Sequence, residues 1–273
     1  MQHSVAILGA GAMGEVLADG LLRAGWQPAD IVFAARREER RQEIEERTGA
    51  SALLDAAAAA RGRDVVVVAV KPFDVPSLLS FISGVVTPDQ VILSLVAGVE
   101  THVFEDALGE VPVVRAMPNT PAQIDQAISA YCGGRHAGPE ALDAAREVLS
   151  SVGETILLDE YLLDAVTAVS GTGPAYVFLL AEALIEAAIR EGIPRHAAER
   201  LVEQTVKGAG ALLGDLDEGP EHLRAQVTSP GGTTAAAVHV LEERGFRALV
   251  EDAVRSAAER SRELGMRAES PPQ

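Results

Sequence analysis

Apolar residues along this chain follow two rhythms, and the change between them falls near residue 160. Before it they come in short unbroken runs. Val5–Leu8, Ile31–Ala35, Val65–Val70, Val91–Leu95 and Val111–Arg115 read as strands. Val65–Val70 is the clearest, because a continuous β-branched run suits a strand buried on both faces. Between the runs, Met13–Ala24 sets Met13, Val16, Leu17, Leu21 and Leu22 at helical spacing. Glu38–Arg47 is charged and helix-compatible, and Ala56–Ala60 fits a helix because alanine has the highest helix propensity. Ala141–Ser150 reads as a further helix and Thr155–Leu158 as a last edge strand. Strands alternating with helical stretches predict a parallel sheet with helices on both faces. From Leu162 onward no strand is predicted. Pro174–Arg190, Arg195–Leu213, Gly219–Val227, Thr233–Arg244 and Phe246–Leu264 all read as helices. The expected fold is α/β, a Rossmann-type doubly wound sheet over 1–160 followed by an all-α domain over 161–268. A polar tail with Pro271 and Pro272 is expected over 269–273.

Composition adds bounds. At 273 residues, two domains are the default. Aromatics make up only 4%, so the core must be aliphatic and Ala-rich, which suits closely packed helices. A formal net charge of −17 repels nucleic-acid backbones and anionic membranes, so neither is an expected partner. An anionic ligand would need a local device of backbone N–H groups or arginines. Cys132 has no other cysteine in the chain to pair with, which fits a reducing compartment. No basic region or cleavage site precedes the first strand, so the expected location is the cytoplasm. The longest apolar stretch, Ala165–Ile189, contains Glu182 and Glu186 and reads as a buried helix with its lead-in rather than a membrane span. No metal is expected.

The first candidate site is Gly9-Ala10-Gly11-Ala12-Met13-Gly14, between the first strand and the first helix. Gly9 suits the tight turn, Gly11 a close approach to a pyrophosphate, and Gly14 close helix–strand packing. The helix N-terminus then offers free N–H groups to the anion. A mere glycine-rich turn is the alternative, but strand, helix and position all agree with nucleotide binding. At the end of the second strand, where an NAD site usually has Asp or Glu, stand Arg36 and Arg37. Two guanidiniums suit a 2′-phosphate and favour NADPH over NADH. The other reading is a solvated basic face, with Glu38 and Glu39 close enough to pair with the arginines. Lys71, in Ala69-Val70-Lys71-Pro72 at the end of the third predicted strand, is one of two lysines, with Lys207. A ligand contact and an ordinary exposed lysine stand level there.

The second candidate site is Val227-Thr228-Ser229-Pro230-Gly231-Gly232-Thr233-Thr234, which opens the helix through Ala235–Leu241. The N–H groups of Ser229, Gly231, Gly232, Thr233 and Thr234 are expected to converge on a small carboxylate, helped by the helix dipole. The hydroxyls of Thr233 and Thr234 would meet a second polar atom of the ligand. A plain Ser/Thr cap is the alternative, but a cap needs neither two glycines nor two threonines.

Val227–Thr234 together with Ala237-Val238-His239-Val240-Leu241-Glu242 resembles the signature of the pyrroline-5-carboxylate reductases. Three more stretches match that family in order: Ala69–Pro72, Arg115-Ala116-Met117-Pro118-Asn119-Thr120-Pro121-Ala122, and Val169-Ser170-Gly171-Thr172-Gly173-Pro174-Ala175-Tyr176. With the glycine loop, the resemblance covers nearly the whole chain. It implies reduction of L-1-pyrroline-5-carboxylate to L-proline with NADPH or NADH. It also implies that the C-terminal domain serves dimerisation, in a homodimer with interleaved C-terminal helices, and leaves a decamer open. By position it gives Thr234 to the substrate ring nitrogen, and Ser229, Gly231, Gly232 and Thr233 to the substrate carboxylate. It gives Gly9–Gly14, Arg36, Val70, Lys71, Pro72, Ala97 and Asn119 to the cofactor. One departure stands out: family members often carry Asn near the adenosine where this chain reads Leu54-Asp55-Ala56-Ala57. The Gly171-Thr172-Gly173-Pro174 segment reads as a tight start to a buried helix, with Pro174 in its first turn.

Imine reduction needs no strong base, only a group that holds or delivers a proton at nitrogen. A site of amides and hydroxyls without histidine fits that, and His239 is expected to face away. The rival β-hydroxyacid dehydrogenases resemble this chain in layout but use a lysine on the helix after the nucleotide domain. No lysine occurs between Lys71 and Lys207. A non-catalytic NADP sensor on the same scaffold is the other rival, opposed by the intact Ser229–Thr234 loop.

Overall fold

The computed structural model describes residues 3–269, and divides them into two compact units. The first takes in the chain up to Thr172 and resumes at Ser256; the second is Gly173–Arg255. Of the tail expected at 269–273, Glu269 closes the last helix and 270–273 lie outside the described residues.

The first unit is built on an eight-stranded sheet: β1 (Val5–Leu8), β2 (Ile31–Ala34), β3 (Ser51–Leu53), β4 (Val65–Val68), β5 (Val91–Ser94), β6 (Val113–Met117), β7 (Ala127–Gly133) and β8 (Gly153–Leu157). Their order is β3-β2-β1-β4-β5-β6-β7-β8. All pairs are parallel except β6 with β7, which run antiparallel. The doubly wound sheet is as expected. Strands β3 and β7 are additions, and β7 makes the sheet mixed.

The unbroken apolar runs have a simple cause. Side chains alternate across a sheet, and both faces are covered. Val5, Ile7, Val65 and Val67 pack with helices α1 (Ala12–Arg23), α2 (Glu38–Thr48) and α6 (Pro139–Leu149). Ala6, Leu8, Val66 and Val68 pack on the other face with α3 (Ala56–Ala60), α4 (Val75–Ile82) and α5 (Thr101–Leu108).

After β8 comes the short α7 (Leu163–Val166), a single π-helical turn over Thr167–Gly171, and α8 (Gly173–Arg190). The second unit continues with α9 (Arg195–Asp215), α10 (Pro220–Gln226) and α11 (Thr233–Glu243), and α12 (Phe246–Glu269) runs from it into the first unit. One expectation needs correcting. Ala165–Ile189 does not form a buried helix, because α8 contains no buried residue in the single chain. The apolar composition was read correctly, but α9, which packs along α8, leaves every residue of it at least partly exposed. By length and composition alone, Glu160–Arg190 would suffice to cross a membrane.

Candidate functional site

The loop after β1 has the build of a phosphate cradle. Gly9 adopts φ +121°, and a Cβ there would lie 2.6 Å from the Ala69 carbonyl oxygen after β4. Gly14 lies against the Gly9 carbonyl and, at 3.0 Å from a built Cβ, the Ile7 side chain, so α1 sits tight on the strand. At Gly11 nothing lies within 4 Å of where a Cβ would be. Gly11 caps α1 without a side-chain bond, so the first-turn N–H groups of α1 are left for a ligand. Gly9 and Gly14 thus make the turn and the close packing that the pattern calls for, and Gly11 leaves open space beside the helix start. The residues present therefore fit a dinucleotide pyrophosphate.

The other expected cofactor residues follow parallel strands and share one edge of the sheet. Arg36 and Arg37 come after β2, Val70–Pro72 after β4, Ala97 after β5 and Asn119 after β6. Arg36, Arg37 and Lys71 are exposed. The alternative pairing of the arginines with Glu38 and Glu39 is not seen among the described residues. Glu38 is taken by Arg41 and Gln42, and the Arg41 bond holds its carboxyl below the usual range. Arg36 instead reaches across the sheet edge to Asp74, Nη1 to Oδ1 at 3.2 Å. Arg37 and Lys71 make no ion pair among the described residues.

Asn119 is buried, and its amide is occupied at both ends. Its Nδ2 donates to the Ser170 carbonyl at 3.2 Å, and its Oδ1 accepts from the Ile128 N–H at 3.1 Å. Its observed partners are thus the π-helical turn and β7. Asp55, which stands where the family often has Asn, accepts from Ala57 N–H at 2.9 Å and Ala58 N–H at 3.3 Å and caps α3.

Beside this edge lies a ring of contacts around the loop that carries Ala97. Gly98, at φ +78°, leaves no room for a Cβ against Ser261 and Gly265 of α12. Ser261 Oγ donates to Asp164 at 2.6 Å, and Asp164 pairs with buried Arg115 at 3.3 Å. Arg115 also pairs with Glu160 at 3.5 Å, and Glu160 accepts from Thr101 N–H and Oγ1, both at 2.8 Å. Next to Arg115 in the sheet, the Cys132 thiol is pushed up to about 12 by burial, so it stays protonated and inert.

Sequence reasoning missed Arg40. Its Nε donates to the Ala10 carbonyl of the glycine loop at 3.2 Å, and its guanidinium pairs with Glu15 of α1. No local pattern marks it within the charged run of α2. The contact exists only because α1 and α2 pack side by side.

In the second unit, the loop from Val227 to Gly232 leads into α11. Gly231 takes φ +70°, and the Gly232 N–H donates to the Ser229 carbonyl at 3.0 Å. That corrects one expectation: the Gly232 N–H is spent on closing the turn. A Cβ on Gly232 would also come within 2.5 Å of Ser229 Oγ. Thr233 and Thr234 are the first residues of α11, and Gly232 caps the helix with no side-chain bond. Their N–H groups precede the helical bonding pattern. Their hydroxyls carry no hydrogen bond among the described residues, whereas Thr205 and Thr228 each bond the carbonyl four residues back at 2.7 and 2.6 Å. His239 is exposed. Arg224 of α10 meets Glu242 of α11 at 3.3 Å and so ties the helices on either side of the loop together. Arg247 beside Glu242 holds that carboxyl below the usual range.

Comparison with known proteins gives two domain matches. Residues 160–264 match the family described as Pyrroline-5-carboxylate reductase dimerisation. Residues 4–98 match the family described as NADP oxidoreductase coenzyme F420-dependent. A pyrroline-5-carboxylate reductase of Corynebacterium melassecola is 40% identical over 266 residues, covering 96% of this chain and 98% of the relative. Among solved structures, a pyrroline-5-carboxylate reductase from Coxiella burnetii superposes with a TM-score of 0.90 at 33% identity, covering 97% and 99% of the two chains. Plasmodium falciparum pyrroline carboxylate reductase with NADP bound gives a TM-score of 0.87 at 29% identity, covering 97% and 99%.

Proposed function

We infer the reaction from one premise: this chain belongs to the pyrroline-5-carboxylate reductase family. It is an NAD(P)H-dependent oxidoreductase that reduces the cyclic imine L-1-pyrroline-5-carboxylate to L-proline, the last step of proline biosynthesis. The observation that carries this reading is the Ser229–Thr234 loop, with first-turn amides and threonine hydroxyls at the start of α11 that have no hydrogen-bond partner among the described residues. Such a loop suits a small carboxylate and one further polar atom.

The dinucleotide supplies a hydride when bound; the chain does the rest. Gly9–Gly14 receive the pyrophosphate on free amides. Arg36 and Arg37 take the 2′-phosphate, which favours NADPH. Val70, Lys71, Pro72, Ala97 and Asn119 line the same sheet edge and complete the cofactor site. Ser229, Gly231, Gly232 and Thr233 hold the substrate carboxylate, with Gly232 acting through the turn it closes. The Thr234 hydroxyl bonds the ring nitrogen and helps deliver its proton, because a protonated imine is the better hydride acceptor. Orientation and that proton suffice, and no strong base is required.

The working unit in this reading is a homodimer. Its C-terminal helices interleave, so that a second copy covers the apolar residues of α8 and its neighbours. Dimers then assemble further into a decamer. The nucleotide domain is assigned to 1–160 and the dimerisation and substrate domain to 161–268. The enzyme works in the cytoplasm, in keeping with a lone buried Cys132.

The test is NADPH oxidation with L-1-pyrroline-5-carboxylate, repeated with NADH. Proline formation at a rate above the enzyme-free control supports the reading. A rate only with a ketoacid or hydroxyacid would overturn it, as would dinucleotide binding without any turnover.

A further inference from the structure

Arg36 and Asp74 follow the two strands that flank β1, β2 and β4, so their ion pair spans the sheet edge at the glycine loop. Asp74 closes the turn Pro72–Asp74 immediately after Lys71, and its N–H donates to the Lys71 carbonyl at 2.9 Å. Its side chain is 24% exposed against 84% for Arg36. The carboxylate is therefore the sheltered partner of the pair, and the guanidinium the solvent-facing one. Only Nη1 of Arg36 is engaged, and Nη2 and Nε carry no hydrogen bond among the described residues. A second anion can share the guanidinium without displacing Asp74, but it must do so beside a negative charge.

We propose that Asp74 sets the balance between NADPH and NADH by competing electrostatically with the 2′-phosphate for Arg36. This rests on the assignment of Arg36 to the 2′-phosphate. NAD(H) lacks that phosphate and does not feel the competition. Asp74 thus holds down a selectivity for NADPH that Arg36 and Arg37 would otherwise set higher. Asparagine in its place keeps an oxygen acceptor for Arg36 and removes only the charge.

The test is direct binding of NADP+ and NAD+ by calorimetry, at low and high salt, on Asp74→Asn, Arg36→Gln and the double variant. Asp74→Ser, which removes the charge by another route, guards against a local folding defect in the first variant. The ratio of NAD+ Kd to NADP+ Kd is expected to rise about threefold in Asp74→Asn, the scale of one partly exposed ion pair. The gain should shrink as salt screens it, and vanish in the double variant. Arg36→Gln should lower the ratio. An unchanged or lower ratio in Asp74→Asn and Asp74→Ser, with Arg36→Gln still lowering it, overturns the competition alone. An unchanged ratio in Arg36→Gln overturns the assignment of Arg36, and the proposal with it.

Discussion

Strand β4 and helix α8 are both strongly apolar, yet they end in opposite surroundings. Each valine of Val65–Val68 is fully buried. In α8, no residue of Gly173–Arg190 is buried, and Phe178 and Leu179 are 62% and 66% exposed. The first unit satisfies its apolar residues from within the chain, by covering both sheet faces with helices. The second unit buries little beyond Ala198 and Val202. Exposed apolar surface on this scale marks an interaction face, and the sequence match there is to a dimerisation domain. The comparison separates two kinds of apolar surface, one closed by its own chain and one that the single chain leaves open.

The largest effect should come from charging the open core. Phe178→Asp with Leu179→Asp removes two large apolar side chains from the expected contact, each worth roughly 1.5–3 kcal/mol when buried. Dimer affinity should fall by a hundredfold or more. Light scattering on dilute samples would read a monomer mass, with proline formation lost. A mass unchanged from wild type would break the comparison, because α8 would then not be the surface that a second copy covers.

Next in size is the loop at the start of α11. Thr234→Ala should lower turnover by about a hundredfold or more, within the usual range for a proton-delivering group. NADPH affinity should stay within a factor of two, roughly, since the residues proposed for the nucleotide all lie in the first unit. Thr234→Ser keeps the hydroxyl and should restore most of the rate. Full turnover in Thr234→Ala would remove the residue from the chemistry.

The contrast between the two units was only half legible in the sequence. Val65–Val70 announced a strand buried on both faces because every position is β-branched or small, and nothing but flanking helices can satisfy such a run. Gly9, Gly11 and Gly14 were legible because each spacing answers to one steric demand. The strand β7 was not. Ala127–Gly133 reads Ala-Ile-Ser-Ala-Tyr-Cys-Gly, with no β-branched run, and only its pairing with β6 and β8 makes it a strand. The three residues of β3 were too few to register. Arg40 and Asp74 were missed because their partners, Ala10 and Arg36, lie 30 and 38 residues away. The exposure of α8 was hidden for another reason. Periodicity reports that a helix is apolar, but not whether its own chain supplies the cover.

A milder pair of substitutions sharpens the same point. Val67→Ala empties space inside a closed core and should cost about 2 kcal/mol. The loss in Tm should be the same at every protein concentration at which the oligomer stays intact. Val177→Ala, on α8 and 43% exposed in the single chain, should cost less at high concentration and more on dilution, because association contributes to its stability. Melting curves at several concentrations separate the two. Equal dilution behaviour in both variants would argue that α8 is no interface residue's home.

The smallest effect belongs to the closed unit alone and depends on pH. Asp64, just before β4, accepts from Ser4 N–H at 2.6 Å and Ser4 Oγ at 2.8 Å. These bonds hold its carboxyl below the usual range. A carboxyl lowered on folding stabilises the native state above its unfolded value, about 3.9, and that contribution is lost as pH falls through the lower folded value. The group is exposed, so after solvent screening the contribution is under ~1 kcal/mol. Asp64→Asn should therefore lower Tm slightly at neutral pH, and the gap to wild type should close as the pH drops below the folded value. Because Ser4 and Asp64 join β1 to β4 within one sheet, the gap should not depend on protein concentration while the oligomer stays intact. A gap that persisted unchanged into strong acid would show that the substitution acts through packing rather than through the charge of Asp64.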